Sequence, residues 1–87
     1  MISFIAEYFG VLVFVYVILA TSNPIAIGAT LIAIIFSIRK ISGGHLNPAV
    51  SVAIASMGQL KPQQLFGYIF AQLLGALTAV VIYKNLK

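Results

Sequence analysis

The sequence contains no cysteine and no tryptophan, and it has one acidic residue and one histidine among its 87 residues. Without cysteine there is neither a disulfide framework nor a thiol nucleophile. A single carboxylate and a single imidazole do not make a catalytic constellation or a metal-ligand cluster, so we expect no enzyme, no cofactor and no metal. Charged residues make up only 7% of the chain and hydrophobic residues 62%, whereas soluble domains carry about a quarter charged residues. We therefore expect an integral membrane protein.

The five basic residues give a net charge of +4, but they do not form a basic patch. They flank apolar segments, as membrane anchors do, so we do not expect nucleic acid as a partner. Three apolar segments predict membrane spans at about residues 2–21, 24–41 and 62–83. The predicted fold is a multi-pass, all-α membrane protein with a single domain over residues 1–87. A cleaved signal peptide is the less favoured interpretation of the first segment, because that segment lacks a basic start.

A fourth apolar stretch, residues 48–57, is too short to cross a membrane. As a helix it reaches about 15 Å, half of a bilayer core. Asn47 and Pro48 are typical of a helix start, and the preceding Gly43-Gly44 pair breaks helices. The stretch carries no charge, which disfavours a helix lying on the membrane surface. Since non-helical backbone at membrane depth must be buried in protein or line a wet cavity, we predict a re-entrant loop and half-helix over residues 42–58.

The chemistry of this loop is predicted by its backbone. A half-helix that starts inside the bilayer directs free N–H groups and a positive dipole end toward the membrane centre, and Asn47 adds amide donors there. Backbone carbonyls supply the acceptors, at Gly43, Gly44, His45 and Leu46. Such a site favours neutral hydrogen-bonding molecules and repels cations. Separately, Gly67, Ala71, Gly75 and Ala79 form a stripe of small residues on the third span, which predicts close packing against another helix.

Three stretches together resemble the aquaporin and glycerol-facilitator family. "ISGGHLNPAVS", at residues 41–51, resembles the first Asn-Pro-Ala loop of that family. "AEYFG", at residues 6–10, resembles its first helix, and "GYIFAQLLGA", at residues 67–76, resembles its third helix. The resemblance covers nearly the whole chain but only the amino-terminal half of a family member. It implies one half-repeat of the family fold, with three transmembrane helices and one re-entrant half-helix.

The resemblance also implies roles for individual residues. Asn47, Pro48 and Ala49 would form the pore loop, with the carbonyls of Gly43, Gly44, His45 and Leu46 along the path. Glu7 and Gln72 would support the loop from behind, although Glu7 could instead lie hydrated near the interface. The side chain of His45 could support the loop or face the pore. The filter positions correspond to Ile27 and Val50, so the chain lacks the family's filter arginine and the usual aromatic or histidine residue.

The expected function is passive conduction of water or a small neutral solute such as a polyol. The pore needs a second half-repeat, either a second copy of this chain or another half-repeat. Arg39, Lys40 and Lys61 lie on one side of the predicted topology and Lys84 and Lys87 on the other, which is a weak orientation bias. We therefore expect an antiparallel homodimer in the bilayer. The alternatives are a proton-coupled small carrier that uses Glu7, a non-conducting remnant or partner of full-length channels, and a truncated piece of a longer protein.

Overall fold

The computed structural model describes residues 1–86, and over that range the chain is all-helical. Its four helices are α1 (Ile2–Thr21), α2 (Pro24–Ile38), α3 (Pro48–Ser56) and α4 (Pro62–Leu86). By length and composition α1 and α4 can cross a membrane, whereas α2 is apolar but only 15 residues long. The all-helical prediction is confirmed. The membrane span predicted at residues 24–41, which contains α2, stays a prediction. Lys87, one of the predicted orienting charges, lies outside the described residues.

The helix ends differ slightly from the predicted span limits. α2 stops at Ile38 rather than near residue 41, because the N–H groups of Ile41 and Ser42 both bond to the Ile38 carbonyl oxygen at 2.9 Å. These turns lead into Gly43, whose φ of 91° cannot continue a helix. α4 continues to Leu86, three residues past the predicted limit of 83.

The first two helices are joined by only two residues. Ser22 has a left-handed φ of 48°, which ends α1. The side-chain oxygen of Asn23 then accepts hydrogen bonds from the N–H groups of Ile25 at 2.8 Å and Ala26 at 3.1 Å. Pro24 occupies the first turn of α2, where its missing N–H costs nothing. The cap therefore allows an immediate reversal of the chain.

The predicted close packing joins α4 to α1. Ala71, Gly75 and Ala79 are buried on α4. A Cβ atom at Gly75 would collide with the backbone carbonyl oxygen of Tyr8, so the two helix backbones approach as closely as glycine permits. The Tyr8 hydroxyl also donates a hydrogen bond of 2.8 Å to the Thr78 hydroxyl. These contacts provide the rigid pair of helices on which the polar loop rests.

The segment between α2 and α4 is short and lies against that pair. α3 has nine residues, which corresponds to about 13 Å of helix. It packs on α4 and buries Ser51 completely. Leu46, just before α3, packs on α1, because a Cβ atom at Gly10 would lie 2.6 Å from a methyl group of Leu46. α2 contacts α1 but buries none of its own residues.

Candidate functional site

The centre of the site is Glu7, which is 0% exposed on the inner face of α1. One carboxylate oxygen accepts hydrogen bonds from the Ser42 hydroxyl at 2.6 Å and the His45 N–H at 3.0 Å. The other oxygen accepts from the Leu46 N–H at 2.8 Å and the Gln72 side-chain amide at 2.9 Å. Four donors from the loop and from α4 therefore converge on one buried carboxylate. Hydrogen bonds to a charged acceptor are about twice as strong as neutral ones, so Glu7 is an effective anchor for the loop.

The loop backbone separates its donors from its acceptors. Gly43, Gly44 and Leu46 have positive φ angles of 91°, 64° and 59°. The N–H of Gly44 bonds to the Ser42 hydroxyl at 3.2 Å, and the next two N–H groups bond to Glu7. Within residues 1–86, the carbonyl oxygens of residues 43–46 accept no hydrogen bond. The donors of the loop are thus satisfied inside the protein while its acceptors stay available.

A second set of hydrogen bonds links α3 and α4 to this anchor. Gln72 is 1% exposed and also donates to the Ser51 hydroxyl at 2.9 Å. Ser51 lies 2.8 Å from Nδ1 of His45. The direction of this bond depends on the histidine tautomer, because the Ser51 oxygen can accept from both Gln72 and a protonated Nδ1 or donate its own O–H to Nδ1. The oxygen of the Gln72 side chain is buried and has no partner in the described part of the chain.

The His45 ring is turned toward α4 and supports the loop. Its centroid lies 4.8 Å from that of the Tyr68 ring. The Tyr68 hydroxyl donates a hydrogen bond of 2.7 Å to the carbonyl oxygen of Ser42, at the start of the loop. A Cβ atom at residue 43 would lie 3.0 Å from Nε2 of His45, so both its space and its φ require glycine there. Of the two possible roles for the His45 side chain, these contacts favour loop support.

Asn47 begins α3 in extended backbone geometry, with φ −156° and ψ 128°. Its side-chain oxygen accepts the Ala49 N–H at 2.7 Å, and Pro48 occupies the first helical turn. The predicted helix cap is therefore confirmed. Asn47 is exposed, and among the described residues its side-chain NH2 group has no acceptor. The start of α3 consequently presents amide donors away from the Glu7 anchor.

An open groove with a volume of about 350 Å³ borders the loop, and Glu7 is not among the residues that line it. Its lining combines the loop with apolar side chains of α1 and α2: Phe14, Leu31, Ile35, Gly44, His45, Leu46, Asn47 and Val50. Of the predicted pore residues, Gly43, Pro48 and Ala49 do not line this groove. Ile27, the other predicted filter position, lies one helical turn before Leu31 on α2 and also does not line it.

Several residues of the site were not found by sequence reasoning. Ser42, Ser51 and Tyr68 carry the hydrogen bonds that fix the loop. Two signals were available in the sequence. Tyr68 precedes Gln72 by one helical turn, and Ser51 follows Asn47 by one turn, so each pair shares a helix face. Phe14, in contrast, joins the groove only through the packing of α1 against α2, which no local pattern specifies.

Comparisons with known proteins agree with this geometry. The sequence profile described as "major intrinsic protein" matches residues 18–87. Aquaporin Z of Brucella melitensis is 36% identical over 92 residues, covering 88% of this chain and 40% of that protein. Aquaporin NIP1-1 of Arabidopsis thaliana is 37% identical over 59 residues, covering 68% of this chain and 20% of that protein. The chain spans less than half the length of these curated relatives. On the profile match, supported by both relatives, the chain belongs to the major intrinsic protein family of membrane proteins.

Proposed function

We propose that this chain is one half of a passive membrane channel for water or small neutral solutes. The observation that carries the proposal is the separation of donors and acceptors in the loop. Glu7 and Ser42 bind the N–H groups of the loop, while the carbonyls of residues 43–46 and the NH2 group of Asn47 have no partner among the described residues. Of these residues, Gly44, His45, Leu46 and Asn47 line the groove. A row of acceptors that ends at amide donors can exchange hydrogen bonds with a neutral molecule passing along it.

Cation exclusion follows from the same site. At the start of α3 the Ala49 and Ser51 N–H groups are bonded to Asn47, and the Val50 N–H has no acceptor among the described residues. In the proposed path this N–H and the positive dipole end of α3 lie at the narrow part. The NH2 group of Asn47 adds a second set of donors at that point. The only carboxylate, Glu7, is fully buried and its oxygens are already bonded. A cation therefore meets donors and partial positive charge without a compensating anion.

In the proposed membrane arrangement, α1, α2 and α4 cross the bilayer at about residues 2–21, 24–41 and 62–83, and residues 42–58 enter and return. The groove is open on one side, so one chain forms only one wall of a path. We propose that a second copy, inserted in the opposite orientation, supplies the other wall and brings a second Asn47 to the membrane centre. Inverted repeats of this kind are a common way to build a symmetric path through a bilayer. Ile27 and Val50 would then line the two ends of a mainly apolar constriction.

Permeability measurements on the purified protein in liposomes test the proposal. Osmotic shrinkage by stopped-flow light scattering reports water permeability, and glycerol-driven swelling reports polyol permeability. We expect permeability above that of protein-free liposomes, with no sodium current. Permeability equal to that of protein-free liposomes would contradict the channel and favour a non-conducting partner of full-length channels.

A separate labelling experiment tests the antiparallel arrangement. The native sequence has no cysteine, so Lys84→Cys provides a single reactive thiol near the end of α4. If the chain inserts in both orientations, an impermeant maleimide added to intact cells should label about half of the Lys84→Cys protein. Lys61→Cys, on the other side of the proposed topology, should be labelled to the same fraction. Complete labelling of one variant and none of the other would refute a homodimer of opposite orientation.

A further inference from the structure

α2 carries a second groove that shares only Ile35 with the groove beside the loop. Ile32, Ile35, Phe36 and Arg39 line it, and its volume is about 170 Å³. These residues recur at the three- and four-residue spacing of one helix face. Ile32 is 60% exposed and Phe36 is 65% exposed, so the side chains of this chain do not cover the groove. The guanidinium carbon of Arg39 lies 5.0 Å from the centre of the Phe36 ring, within the range of a cation–π contact.

Within residues 1–86, the charge at the end of this groove has no counter-ion. The only acidic side chain, that of Glu7, is buried and accepts four hydrogen bonds elsewhere. Every exposed ionisable side chain near the helix ends of that range is basic: Arg39, Lys40, Lys61 and Lys84. A second copy of the described part of the chain, in either orientation, would therefore bring only further positive charge to Arg39. The positive charge of Arg39 beside an apolar surface thus suits an anion supplied from outside the protein.

The shape of the groove restricts what that anion can be. Ile32 and Arg39 are seven residues apart, which corresponds to about 10 Å along the helix. Given the proposed crossing of α2, Arg39 lies at the end of the helix near the headgroup level and the apolar walls extend from it toward the bilayer centre. We propose that this face binds an anionic phospholipid, with the phosphate on Arg39 and an acyl chain along Ile32, Ile35 and Phe36. The proposal requires membrane insertion but not conduction.

Lipid titration of the purified protein by native mass spectrometry tests this site. The probes are phosphatidylglycerol and phosphatidylcholine with identical acyl chains. We expect tighter binding of phosphatidylglycerol, and about fivefold weaker binding of it after Arg39→Gln, the factor for one basic residue at an anionic membrane surface. Lys61→Gln makes the same charge change at a site outside the groove, so we expect a change of less than twofold. Equal binding of the two lipids by the native protein, or equal losses in the two variants, would overturn the proposal.

Two further arms separate a lipid site from a simpler electrostatic effect. Phe36→Ala removes a wall of the groove without changing any charge, so it also tests the site if Arg39→Gln does not fold. We expect weaker phosphatidylglycerol binding in this variant, and unchanged binding would refute the groove. Glycerol phosphate, which has the anion but no acyl chain, is expected not to displace the bound lipid. Displacement at equal concentration would identify a soluble phosphate as the ligand instead. Circular dichroism of each variant verifies that the helices are intact.

Discussion

Replacing Glu7 with glutamine removes one acceptor from the anchor while keeping the size of the side chain. If the new NH2 group takes the position bonded to Ser42 and His45, the Ser42 hydroxyl can rotate to accept from it. The His45 N–H, however, then faces a donor. If the NH2 group takes the other position, the Gln72 amide can turn over, but the Leu46 N–H faces a donor. In either orientation one buried loop N–H loses its acceptor.

An unsatisfied buried donor costs about 1–3 kcal/mol. We therefore expect Glu7→Gln to lower the free energy of unfolding by about 1–3 kcal/mol, since one N–H is orphaned in each arrangement. Ser42→Ala tests the same network from the side of the loop, because it removes one donor to Glu7 and the acceptor of the Gly44 N–H. Its expected loss lies in the same range.

Denaturant unfolding in mild detergent, followed by circular dichroism at 222 nm, measures these losses. Gln63→Glu is the matched control, because it exchanges the same two functional groups at an exposed position of α4, where we expect a change within about 0.5 kcal/mol. A Glu7→Gln loss no larger than that of the control would refute the anchor. Water permeability, normalised to folded protein, is expected to persist in Glu7→Gln. Abolished transport with unchanged stability would instead support a proton-coupled carrier.

Three further predictions concern the packing, the pore and the loop support. Gly75→Ala is expected to lower the free energy of unfolding by about 1–3 kcal/mol, because its methyl group collides with the α1 backbone. Gly28→Ala is the control and is expected to be neutral or stabilising, because a Cβ atom there meets nothing within 4 Å. Equal effects of the two substitutions would contradict the close packing of α4 on α1. Asn47→Asp keeps the acceptor of the helix cap but loses the NH2 donor. The free energy of unfolding should therefore be nearly unchanged, while the leak of sodium into liposomes should rise. A variant without a sodium leak would contradict the role of Asn47 in excluding cations. Tyr68→Phe is expected to cost about 1–3 kcal/mol in the same unfolding assay, because the buried Ser42 carbonyl loses its donor, and no change would remove Tyr68 from the loop support.

The sequence predicted those features of the fold that local rules determine. The Asn23 and Asn47 caps, the break at Gly43 and the small-residue stripe each depend on residues within a few positions of one another. The structure agrees with all of them. The end of α2 was placed three residues too late, because no proline or glycine interrupts the sequence between Gly28 and Gly43, whereas the regular helix already gives way to turns after Ile38.

The candidate site was predictable only in part. Glu7 and Gln72 were selected by resemblance, and their contacts with the loop depend on how α1 and α4 pack. Ser42 was missed because a serine beside a glycine pair has no distinctive pattern, and Ser51 and Tyr68 were missed although each shares a helix face with a predicted site residue. The positions of these residues and of Gln72 become informative only when their partners on other segments are placed in space, and these partners are 6 to 65 residues distant in the sequence. The groove beside Arg39 could not be predicted from the sequence either, because it exists only if no other helix covers that face of α2.

A single buried carboxylate explains both the shape of the loop and its chemistry. In a bilayer, water cannot replace a missing backbone partner, so extended backbone at depth needs an acceptor of its own. Glu7 serves this purpose for two adjacent N–H groups. With those N–H groups bonded to Glu7, the carbonyls of residues 43–46 accept no hydrogen bond within residues 1–86. In the proposed channel they would be available to a passing neutral molecule. We therefore expect variants of the anchor to lower the free energy of unfolding while the water permeability of the protein that still folds persists. Asn47→Asp should instead change selectivity without loss of stability.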